Sequence, residues 1–198
     1  MIKFLKYFLA SLLFTGVACA QTVSPFVGGT VPAGYFSTYG VAITNQQPAA
    51  SATDINCITG SATRTIYVRS IRLTGSNSAG AVGRDIQIIK RSTADTGGTP
   101  SNATVVPHDS FSAAATAIVT SYITNPTTGN AVGNVASVHA AFPVTTASVN
   151  VTVYDFPFGR EGSTSLVLHG VNEQVCVNMF AAGAATDSLH TTYEWIEQ

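Results

Sequence analysis

No long amphipathic helix can be laid on this chain. Its apolar residues fall instead into short runs that alternate with polar ones, cut repeatedly by Gly, Pro, Asn and Ser. That two-residue period constrains the fold more than any other feature, because it places one apolar face on a strand and none on a helix. The clearest run is Asp85 to Lys90, with Ile86 and Ile88 on one face and Gln87 and Ile89 on the other. A polar loop, Ser92 to Asn102, follows it. There Gly97-Gly98 permits positive φ, and Asp95 is placed to bond nearby backbone amides as a turn initiator. Pro107-His108-Asp109 closes the stretch.

Similar runs fill the rest of the chain. In Thr63 to Thr74, Ile66 and Val68 share one parity while Ile71 and Leu73 take the other, so the phase slips near Ser70, as at a bulge or a sheet-changing bend. Ala131 to Phe142, Val149 to Phe156, Ser165 to His169, Gln174 to Phe180 and Leu189 to Ile196 all alternate. The segment Phe111 to Ile123 is mixed: its alanine run favours a short turn or helix, and its tail from Ile118 favours a strand. Eight or nine strands at these spacings predict an all-β fold, an antiparallel two-sheet sandwich resembling a jelly roll. At 198 residues the chain is long enough for one such domain. We expect it over residues 63–198, preceded by a leading arm with one strand (Phe36 to Ile43) over 21–62. Phe26, Val27, Tyr35 and Phe36 would lay that arm on the body or on a neighbouring subunit.

Residues 1–20 read as an export signal: basic Lys3 and Lys6, an apolar run from Tyr7 to Val17, then Ala18-Cys19-Ala20 as a cleavage site before Gln21. The run is shorter than a bilayer span, so cleavage would leave no stable membrane anchor. It would also move the formal net charge from −1 to −3, a poor balance for binding nucleic acid. Six of the seven remaining basic residues, Arg64, Arg69, Arg72, Arg84, Lys90 and Arg91, lie within 28 positions. They form either a solvated face or a basic patch for phosphate or a partner. Cys57 and Cys176 would be the two cysteines left, either closing a long disulfide loop or staying as separate buried thiols.

Catalytic motifs are missing: there is no GxSxG elbow, P-loop, GxGxxG or HExxH. His108-Asp109, His139, His169 and His190 show no ligand or triad spacing, and no DxDxDG loop marks a calcium site. Nothing selects a hydrolytic pair from Asp155, Glu161, Glu173 and Asp187. We therefore expect no catalytic residues, no metal and no cofactor. Tyr193 and Trp195 share one parity of the last run, and would make either a sugar-binding platform or a piece of core.

The stretch KRSTADTGGT, Lys90 to Thr99, resembles a group of bacteriophage virion proteins, small β-rich decoration-type or tail-associated subunits. Val106-Pro107-His108-Asp109, the alanine-rich run to Tyr122, Thr124-Asn125-Pro126 with Gly129, Leu168-His169-Gly170 and Glu194-Trp195-Ile196-Glu197 follow in the same order, from about Arg64 to the end. The resemblance implies assembly on a particle surface and no chemistry. An export signal departs from it, because such subunits assemble in the cytosol, where the disulfide would be disfavoured. Low charge, 10% of residues against roughly 25% in an average domain, also invites association. The expectation is a non-enzymatic structural subunit on a virion surface, or one secreted or periplasmic. Its partner would be itself, as a trimer or larger lattice, or other structural subunits. The alternative is a secreted carbohydrate-binding module using Tyr193 and Trp195.

Overall fold

Alternation becomes twelve strands in the computed structural model, which describes residues 36–47, 51–145, 151–159, 165–180 and 183–198. The predicted export signal and the arm as far as Tyr35 lie outside them. The strands are β1 (Ser37–Gln46), β2 (Thr53–Thr59), β3 (Ile66–Asn77), β4 (Val82–Arg91), β5 (Pro100–Asn102), β6 (Val106–Pro107), β7 (Ile118–Tyr122), β8 (Ala131–Phe142), β9 (Tyr154–Pro157), β10 (Leu166–Leu168), β11 (Gln174–Met179) and β12 (Asp187–Glu197). No helix is present among the described residues.

All named strand pairs are antiparallel, in two sheets. One runs β10-β3-β12-β1-β6, with β9 beside β10 along β3; the other runs β5-β7-β2-β11-β4-β8. Apart from β5, β6 and β7, the order β9/β10-β3-β12-β1 facing β2-β11-β4-β8 is the wrapped order of a jelly roll. Counting β9 and β10, which share the free edge of β3, as one position, the chain crosses between the sheets at every step except β4 to β8. The connection between those two strands carries the three extra strands: β6 extends one sheet beside β1, while β7 and β5 extend the other beside β2.

The core fills the space between the sheets, from Ile66, Val68, Ile71 and Leu73 of β3 to Ile55 and Ile58 of β2 and Val175 and Val177 of β11. The slip near Ser70 is a bulge: Ser70 pairs with Glu194 and Val68 with Trp195, leaving Arg69 as the extra residue. The same point divides the free edge of β3, where β10 takes Ile66 to Val68 and β9 takes Ser70 to Leu73.

One expectation about local structure needs correction, and another is resolved. The stretch read as a leading arm with one strand holds two, and both are interior to their sheets: β1 lies between β12 and β6, and β2 between β11 and β7. Of the short turn or helix expected before the strand at Ile118, it is the turn that forms, closed by the Ser112 amide on the Asp109 carbonyl, and the alanine run of 113–117 takes no helix because its backbone groups are bound to the sheet. The Thr116 and Ala117 amides donate to the Glu197 carboxylate at 2.9–3.0 Å, and the Ala113 carbonyl accepts from Tyr39 Oη at 2.8 Å.

Candidate functional site

Of the two readings of Tyr193 and Trp195, sugar platform or core, the structure shows core. Tyr193 and Trp195 do share a parity, but it is the inward one, and both are fully buried. Trp195 stacks on Tyr39 with ring centroids 5.9 Å apart, and its indole N–H donates to Glu197 Oε1 at 3.0 Å. Tyr193 Oη donates to Asn56 Oδ1 at 2.6 Å. No face of either ring is left for a ligand, which removes the carbohydrate reading that depended on them.

The basic patch, left open beside a solvated face, also dissolves, because strand alternation and the two-sheet wrap send its members to different places. Arg84 and Lys90, near opposite ends of β4, both reach across to the other sheet. Arg84 Nε lies 2.7 Å from Asp187 Oδ2 on β12, and Lys90 Nζ lies 2.9 Å from the Val167 carbonyl on β10 and 3.3 Å from Glu173. Arg72 faces Asp155 across the β3–β9 pair at 3.5 Å. Arg91 is buried. Arg64 and Arg69 are half-buried, at the turn before β3 and at its bulge. Three of the carboxylates considered for hydrolysis, Asp155, Glu173 and Asp187, are thus partners of this basic set, and Glu161 lies outside the described residues. The contacts with Arg84, Asn77 and the Ala184 amide hold the Asp187 carboxyl below its ordinary range, against the effect of burial.

The histidines are equally dispersed. His108 donates its backbone N–H to Thr38, and Asp109 Oδ1 accepts from the Phe111 amide at 2.9 Å, a loop tying down its own backbone. His139 pairs with Asp85 at 2.6 Å on the surface. His169 gives its amide to Glu173, and His190 sits within β12.

The densest polar constellation was not foreseen as a site. On the outer face of the β2-β11-β4 sheet, Cys57 and Cys176 are directly opposed and joined, with Cα atoms 4.0 Å apart. Ile55 is an extra residue in β2, between the pairs Asn56–Val177 and Asp54–Asn178. That bulge turns Asp54 onto the same face as Cys57, three positions away. Asp54 Oδ1 accepts from Arg91 Nη2 at 2.8 Å and from Asn178 Nδ2 at 2.6 Å, and Arg91 Nε bonds the other oxygen.

Asp95 closes the cluster from above. Gly97 and Gly98 both have positive φ, 68° and 66°, as the polar turn predicted. Gly129 approaches so closely that a Cβ would lie 1.8 Å from the Thr93 carbonyl oxygen. Only glycine lets its N–H reach Asp95 Oδ1, at 2.8 Å. So Asp95 bonds a distant loop and not, as expected of it, the backbone nearby. Its own N–H donates to Gln174 Oε1 at 2.8 Å, and its Oδ2 lies 3.5 Å from Cys57 Sγ, a contact without a proton because the sulfur is bonded to Cys176. Burial raises the Asp95 carboxyl to about 7, with nearby Asp54 adding to the rise and the Gly129 amide and Arg91 opposing it. Burial also pushes Tyr122, at the edge of the cluster, up to about 12.

The constellation is well satisfied: among the described residues no buried side-chain nitrogen or oxygen lacks a partner. Its evident work is to fasten the β4–β8 connection to the sheet beneath it. Of this cluster the sequence offered the Cys57/Cys176 pair, as a disulfide or as two separate thiols, and the structure shows the disulfide; Asp54 lay in the stretch read as an arm. No protein-family model, curated protein or solved structure matches this chain.

Proposed function

We propose that this chain is a structural, non-enzymatic assembly subunit of the virion-surface type its motifs resemble, working through contacts with copies of itself or with other structural subunits. The observation that supports the reading is the character of its surface. Charges are few, and many are engaged in pairs, among them Arg72 with Asp155, Arg84 with Asp187 and Lys90 with Glu173. Large apolar side chains meanwhile remain exposed, among them Phe36, Val106, Phe111, Ile123, Val132 and Phe180. Three of these belong to one margin. His108 bonds Thr38 where β6 pairs with β1, so Phe36, Val106 and Phe111 all flank that junction. An exposed apolar margin with little charge to keep copies apart suits association.

Sedimentation velocity over a wide concentration range tests this. We expect concentration-dependent association, reversed by Val106→Asp with Phe111→Asp while circular dichroism shows the fold retained. A protein that stays monomeric throughout, or associates just as well with both aspartates, refutes the reading.

A further inference from the structure

Asp54, Cys57, Asp95 and Cys176 converge beneath the β4–β5 turn with one ligand atom from each inside a common envelope, all within 4.8 Å of one another. In the oxidised chain the two sulfurs bind each other. We propose that the reduced chain holds one thiophilic divalent cation of the Zn²⁺ class at this point, with two sulfur and two oxygen ligands from Cys57, Cys176, Asp54 and Asp95. A dithiol or phosphine reductant supplies two electrons to the S–S bond, and two protons from solvent complete the thiols. Binding M²⁺ releases those protons and leaves two metal thiolates.

The geometry fits the coordination chemistry. Metal–sulfur bonds of about 2.3 Å and metal–oxygen bonds of about 2.0–2.2 Å in a tetrahedron put ligand atoms roughly 3.3–3.8 Å apart, a spacing within the 4.8 Å envelope once reduction lets the two sulfurs part. The orienting partners that such ligands need are already in place. Arg91 and Asn178 hold Asp54, and the Gly129 amide holds Asp95 Oδ1. Asp95 Oδ2, on a side chain with no exposed surface, lies 3.5 Å from Cys57 Sγ, and the same side chain bonds Asp54. Arg91 also offsets part of the charge, since four anionic ligands and one dication would otherwise carry two excess negative charges.

The test uses the full chain, anaerobic, either oxidised or reduced with a phosphine, titrated with Co²⁺ as the spectroscopic probe and then with Zn²⁺ as competitor. Expected are one Co²⁺ per reduced chain with the intense visible bands of tetrahedral cobalt and thiolate charge transfer, displacement by Zn²⁺, and no such signal from the oxidised chain. Asp95→Asn should weaken binding at least about tenfold. Absence of binding overturns the proposal, as does a weak octahedral spectrum or an affinity indifferent to Asp95→Asn, which would mean the thiolates act alone. Should the reduced chain unfold without metal, Zn²⁺ must restore its circular dichroism; failure to do so also overturns the site.

Discussion

Replacing Asp95 by Asn should remove a pH dependence from the stability of the fold. In an unfolded chain an aspartate titrates near 3.9, whereas burial raises the folded Asp95 carboxyl to about 7. Between those values the folded state binds more protons than the unfolded one, so this group lowers stability as pH rises from about 4 to about 7. The slope is limited by one proton, about 1.4 kcal/mol per pH unit, and the three-unit interval sets a ceiling of about 4 kcal/mol. Asparagine is close in shape, keeps an oxygen for the Gly129 amide, and offers Asp54, to which the Asp95 carboxyl is hydrogen-bonded, an N–H that does not titrate. Urea denaturation of both proteins from pH 4.5 to 8.5, taken as a difference, isolates the residue from the opposite-signed contributions of Glu173 and Asp187, whose carboxyls are held low. The variant should gain on the wild type as pH rises, by up to about 4 kcal/mol relative to their difference at low pH. Parallel stability curves would refute the assignment of a raised carboxyl to this turn.

Three further outcomes follow from the same structure. Removing the disulfide with Cys57→Ala and Cys176→Ala opens a link between residues 119 apart, which the chain-entropy model values at about 5 kcal/mol; equilibrium unfolding should show a loss of that order. Arg91→Ala strands the buried Asp54 carboxylate and should cost about 3–5 kcal/mol in the same assay, with Arg91→Lys intermediate because it cannot reproduce the paired contacts. Glu197→Gln places an NH₂ among the Thr116 and Ala117 amides and the Trp195 indole N–H, which only donate, and the Thr116 hydroxyl, which would have to turn its proton away to accept. It should cost about 1–3 kcal/mol and speed hydrogen exchange at residues 116 and 117.

Strand alternation made the sandwich legible because most strands bury one face only. On β12, Leu189, Tyr193 and Trp195 alternate with His190, Glu194 and Ile196, so the strand and its parity were readable. Which parity faced inward was not, and that decides whether Trp195 is a platform or a core residue. The bulge at Arg69 was readable for the same reason, since it slips the apolar parity at a single point. β2 defeated the rule. Every residue from Thr53 to Ile58 is buried, one face by the opposite sheet and the other by the β4–β8 connection, so Asp54 and Asn56 are as internal as Ile55 and Ile58. Polarity then marks a hydrogen-bond network and no longer a solvent face, and a strand with that composition resembles a loop. The Asp54 cluster was hidden along with it, because its members meet only when a bulge in β2, a disulfide to β11 and a glycine-rich turn after β4 bring four distant segments together. Local pattern predicts which residues share a strand face. The cover placed over that face is a tertiary property, and here the cover makes the most chemically loaded cluster of the molecule.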